Sequence, residues 1–115
     1  MSVALLVNTS PYGAEGPFNA LRLAQALELA GERVELLLMG DAVNTARRGQ
    51  DPRTAHASLE ALLAELTEKG VSVTLCGTCC QARGLQEGDL VEGVVIGTIH
   101  DFARIVKESD KTVSL

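Results

Sequence analysis

Short, almost unbroken apolar runs alternate along this chain with segments whose apolar residues recur at helical spacing. Val3 to Asn8 is the first such run, Arg33 to Met39 the second, Val71 to Leu75 the third and Val94 to Ile96 the fourth. Runs this short and this continuous predict strands buried on both faces, the signature of a parallel sheet. Between them, Pro17 at a first helical position opens a helix that buries Phe18, Leu21, Ala24, Leu27 and Leu29 and stops at Gly31. Asp41 reads as the N-cap of a short helical piece through Ala46, with Arg47 and Arg48 as its solvated end. Asp51-Pro52 predicts a second full helix carrying Ala55, Leu59, Leu62, Leu63 and Leu66 before Gly70, with His56 on its surface or edge. Leu90 to Gly93 reads as turn or a fragment of helix. Thr98 and Asp101 form a capping box for a helix containing Phe102, Ile105 and Val106, and Val113 centres a last edge strand.

Strand and helix in alternation predict right-handed crossovers and one three-layer α/β/α domain over residues 1–115, with a mainly parallel sheet of about five strands. Composition agrees: 46% of residues are hydrophobic but only 3% aromatic, so Leu, Val, Ala and Ile must build the interior. A net charge of −5 disfavours a phosphate-rich partner, so direct nucleic-acid binding is not expected. Met1-Ser2 leads straight into the first apolar run without a basic leader, and no run approaches the ~20 residues of a membrane span, which reads as a cytoplasmic protein.

The chemistry is concentrated in one place. All three cysteines fall on Cys76-Gly77-Thr78-Cys79-Cys80, immediately after the third strand. Thr78 with Gln81 has the capping-box pattern, which would make Thr78 the N-cap and put Cys79 and Cys80 in the first helical positions. Arg83 and Gly84 close that helix. In a parallel sheet, functional groups collect beyond the carboxyl ends of the strands, where Cys76 and His100 both fall. In a reducing compartment such a cluster points to catalysis, redox work or metal binding rather than a structural disulfide. A closed zinc site needs four ligands and no second cysteine pair exists, so a fourth would have to come from His56, His100, a carboxylate or another subunit; no metal or other cofactor is expected. Cys76 and Cys79 are the candidate reactive residues, and Cys80 reads as a small apolar core residue.

Gly40-Asp41-Ala42-Val43, Gly70-Val71-Ser72-Val73, Cys76-Gly77-Thr78-Cys79 with Arg83-Gly84, and Ser109-Asp110-Lys111-Thr112-Val113 together resemble the DsrE/DsrF-like family of small sulfur-relay proteins, which includes the TusD-like subunits. The resemblance covers almost the whole chain. It implies that Cys76, followed by Arg83-Gly84 at the family's spacing, accepts sulfane sulfur as a persulfide. It further implies a sulfurtransferase-like carrier, working with donor and acceptor proteins or small sulfane compounds, as a homotrimer or homohexamer. This sequence differs from those carriers in having Cys79 and Cys80 as well. A Cys76/Cys79 thiol redox protein and a non-catalytic oligomeric metal- or ligand-binding protein are the alternatives.

Overall fold

The structure is a computed structural model that describes residues 1–53 and 58–115. Five strands form one sheet: β1 (Ser2–Val7), β2 (Arg33–Leu38), β3 (Ser72–Cys76), β4 (Val95–Gly97) and β5 (Lys111–Ser114). All pairings are parallel, in the order β4-β3-β2-β1-β5. From β1 to β4 the chain moves steadily toward one edge, and a single long crossover then returns it to the other. With right-handed connections, the first three crossovers share one face and the last covers the opposite face.

The side chains obey that rule. On β1, Val3, Leu5 and Val7 face the larger core with Ala20, Leu21 and Ala24 of α1 (Gly16–Leu29) and Leu59, Leu63 and Leu66 of α2 (Leu59–Glu68). The short α3 (Gly77–Ala82) follows β3 directly. Ala4 faces the other way, into a small cluster with Leu37, Cys76, Phe102 and Ile105. Phe102 and Ile105 belong to α4 (Ile99–Glu108), and burying each contributes about 1.5–3 kcal/mol. Cys76 therefore belongs to the thinner layer, beneath the returning helix.

Several boundaries differ from the sequence expectation, each for a local reason. Leu29 is 79% exposed in the last turn of α1, because the buried stripe runs through Ala20, Leu21 and Ala24 instead. Asp41 caps nothing: Gly40–Ala46 is a 3-10 segment preceded by Met39, and the Asp41 carboxylate instead binds Arg83. Asp51 does not open α2, whose N-cap is Ser58, its hydroxyl accepting the Ala61 N–H. Ala55 and His56 lie outside the described residues. Arg48 is not a free helix end, since its N–H and its Nε donate to the carbonyls of Asp89 and Leu90. That pairing holds the 3-10 turn Glu87–Asp89 against the Gly40–Ala46 segment. The expected capping box of Thr98 and Asp101 does form, with both reciprocal bonds present.

Candidate functional site

The site is a meeting of three strand ends. Cys76 is the last residue of β3 and Gly97, its neighbour in register, the last of β4. Gly40 follows β2 on the other side. From Cys76 the chain turns at once into α3. The N-cap is Cys76 itself, not Thr78: its Sγ accepts the Cys79 N–H at 3.4 Å. Cys79 is thus the third helical residue and Cys80 the fourth. A cysteine is not a habitual N-cap, which is why the sequence pattern favours the oxygen-bearing Thr78. Arg83 and Gly84 do end the helix, Gly84 with a φ of +67°.

Cys76 is 7% exposed, beside Phe102 and Ile105. Burial opposes its thiolate, but bonds from the Cys79 thiol and N–H and from the Thr78 hydroxyl and N–H outweigh that cost and hold the group below its ordinary value. The Thr78 hydroxyl lies 3.7 Å from the sulfur. With only six residues, α3 owes this effect to individual donors at its first turn rather than to a long helix dipole.

Cys79 is half-buried and packs against both cores. Its Sγ accepts the Gly40 N–H at 3.2 Å. Burial, the bond it gives to Cys76 and the negative charge there push the Cys79 thiol up, against the opposing pull of Gly40 and Arg83. Of the two thiols, Cys76 is therefore the one that ionises more readily. Cys80 is 1% exposed in the larger core, and burial pushes its thiol up, reinforced by the two neighbouring cysteines. It is the apolar core residue that its sequence context predicts.

Arg83 ties the site together. Its Nε and Nη2 donate to Asp41 Oδ1 at 2.9 and 2.7 Å, and its Nη1 donates to the Cys79 carbonyl at 3.0 Å. Gly40, next to Asp41, has a φ of +55°, and a Cβ there would meet the Asn8 carbonyl at 3.3 Å. The Gly40 N–H and the Asp41 carboxylate are the partners that sequence reasoning misses. Gly40-Asp41 follows a strand adjacent to β3, but only the strand order brings it to Cys79. His100 is exposed in the first turn of α4. Among the described residues, no group of three His, Cys, Asp or Glu side chains is placed to hold a metal ion. No helix of the described chain is long and apolar enough to cross a membrane.

Comparison with known proteins gives a consistent answer. The uncharacterized protein MJ0989 of Methanocaldococcus jannaschii is 40% identical over 114 residues, covering 99% of both chains. The YchN protein of Escherichia coli is 38% identical over 114 residues, 97% of each chain. The crystal structure of E. coli YchN superposes with a TM-score of 0.93 at 37% identity, covering 100% of this chain and 99% of that one. A protein of unknown function from Methanobacterium thermoautotrophicum, MTH1491, shares the fold at a TM-score of 0.74 and 20% identity, covering 99% of this chain and 98% of that one. The model of the DsrE/DsrF-like family matches residues 1–115, and the chain belongs to that family.

Proposed function

We propose that this protein is a sulfur carrier whose Cys76 accepts sulfane sulfur as a persulfide and passes it to an acceptor. The observation that carries the reading is the set of groups around Cys76 Sγ: the N–H of Cys79 and the hydroxyl of Thr78 converge on one sulfur at a strand end. These donors favour the thiolate, the form of a cysteine that attacks a sulfane sulfur. Family membership supports a sulfur-relay-type role, with donor and acceptor proteins or small sulfane compounds as partners. A cytoplasmic setting, which keeps thiols reduced, suits this chemistry.

The carrier is also proposed to work as a homotrimer or homohexamer. Ile99 is 59% exposed and Ile96 40% exposed on and beside α4, an apolar surface that a second copy would cover. Light scattering that returns a monomer at working concentration removes this part.

Intact mass spectrometry of the reduced protein after exposure to inorganic polysulfide tests the central claim. One added sulfur mapping to Cys76 is the expected result. Uptake at the wild-type level by Cys76→Ser would assign the sulfur elsewhere.

A further inference from the structure

Cys79 is placed for more than holding a proton. Its N–H donates to Cys76 Sγ at 3.4 Å, and its own Sγ accepts the Gly40 N–H at 3.2 Å. Cys79 therefore lies between the Gly40 N–H and Cys76 Sγ and is hydrogen-bonded to each, through its sulfur and through its own N–H. A nucleophile on the residue whose N–H holds Cys76 Sγ is adjacent to the inner sulfur of a Cys76 persulfide, the atom joined to Cβ, rather than to the outer sulfur that would extend beyond it. We infer that Cys79 resolves the Cys76 persulfide by attack on that inner sulfur, closing a Cys76–Cys79 disulfide and releasing hydrosulfide, and that the Asp41–Arg83 pair positions the Gly40 N–H that prepares Cys79 for the attack. The inference rests on the carrier reading and adds a second outcome to it: sulfur left unclaimed by an acceptor leaves as sulfide.

The step balances without an added oxidant. The Cys79 thiolate supplies an electron pair to Cys76 Sγ, the bond between the two persulfide sulfurs breaks, and the outer sulfur departs with that bond's electrons as HS⁻. The two cysteines are oxidised and the sulfane sulfur is reduced to sulfide. A dithiol reductant must then reopen the disulfide before another sulfur is loaded.

Local geometry permits closure. Residues three apart at a helix start have Cβ atoms about 5–6 Å apart, against roughly 3.8 Å in a disulfide, so some movement is needed. Cys76 can supply it, because as N-cap it lies outside the helical backbone, with φ −64° and ψ 118°. Asp41 and Arg83 act through Gly40 and the Cys79 carbonyl, not on the sulfur, and are positioning residues. Without the Asp41 carboxylate nothing ties the Gly40–Ala46 segment to α3 through Arg83.

The test loads the reduced full-length protein with inorganic polysulfide, removes the excess by desalting, and follows free sulfide, intact mass and disulfide-mapped peptides in the absence of reductant. Wild type is expected to release one sulfide for each Cys76–Cys79 disulfide formed. Cys79→Ser should accumulate the Cys76 persulfide and release sulfide at least about tenfold more slowly. Asp41→Asn should slow release about three- to tenfold and move its pH profile upward, with Asp41→Glu restoring part of the rate. Arg83→Lys, which keeps the charge but loses the planar fork, should fall between them.

A wild-type persulfide that persists on Cys76, or that moves intact to Cys79, overturns the resolving step. Sulfide release from Cys79→Ser at the wild-type rate does the same. Identical rates and pH profiles for Asp41→Asn and wild type overturn the positioning role. Absence of any sulfur on Cys76 at loading is read separately from the intact mass, and that result removes the carrier reading on which the step depends.

Discussion

Two helices of this protein begin in the same way one strand apart, and they differ in a single kind of atom. β4 ends at Gly97 and Thr98 caps α4; β3 ends at Cys76 and Cys76 caps α3. At α4 the Thr98 hydroxyl accepts the Asp101 N–H at 3.2 Å, and the Asp101 carboxylate returns to the Thr98 N–H at 2.8 Å. At α3 the cap atom is sulfur, at 3.4 Å from the Cys79 N–H, and the residue in Asp101's place is Cys79, whose sulfur turns to the Gly40 N–H rather than to the backbone of its own cap. Oxygen is the better cap, so capping does not account for sulfur at α3. The weaker cap leaves a thiol whose donors stabilise its charged form. One cap holds a helix, and the other also favours a thiolate.

The parallel between the two caps breaks most sharply at Cys76. Cys76→Ser restores an oxygen cap, so stability measured by urea unfolding should be unchanged or rise by about 0.5–1 kcal/mol. Persulfide formation on exposure to polysulfide should disappear. A variant that lost stability instead would mean that the sulfur is there for packing.

Gly97→Ala should produce the largest loss of stability among these changes. A Cβ there would come to 2.8 Å from Thr74 Cγ2 and 3.0 Å from the Asp101 carboxylate, so either the strand or the cap must shift. Overpacking of this kind costs about 1–3 kcal/mol. Because Gly97 pairs with Cys76, the alkylation rate of Cys76 reports whether the strain crosses to the start of α3. Thr98→Ala is milder, costing about 1 kcal/mol through the lost cap, with the Cys76 alkylation profile left in place. Equal disturbance of both helices by this substitution would show that the two caps are not independent.

The same pair of helices divides what a sequence reveals from what it conceals. The alternation of apolar runs and capped helices makes the parallel sheet, the edge position of the last strand and the box at Thr98 and Asp101 legible, because those features follow from nearest neighbours in the chain. Cys76 stands out for the same reason, through its place at a strand end and its distance to Arg83-Gly84. The cap at α3 is concealed because Thr78 offers an oxygen and Cys76 only a sulfur, a choice decided by where β3 releases the chain. Asp41 resembles a cap only as long as its real partner is unseen: Arg83 lies 42 positions away and meets it only because β2 and β3 are adjacent. The Gly40 N–H is a backbone donor, and no side-chain pattern announces one.

The smallest expected effect is a pH dependence that belongs to α4 alone. The Thr98 N–H and hydroxyl hold the Asp101 carboxyl below the usual carboxylate range. A group whose pKa is depressed on folding contributes stability that is complete above its unfolded value, near pH ~3.9, and is lost as pH falls through the folded one. Asp101→Asn keeps a polar side chain in the box but has no proton to gain. The difference in melting temperature between wild type and Asp101→Asn should therefore be constant above about pH 5 and shrink steadily below about pH 4. At α3 no carboxylate takes part in the cap, so the acid range should leave that helix start untouched. Alkylation of Cys76 followed over the same acid range should show no inflection near the Asp101 transition. A melting difference that stays flat down to about pH 2, well below the unfolded carboxylate value, would mean that the Asp101 carboxylate is not what closes the box at α4.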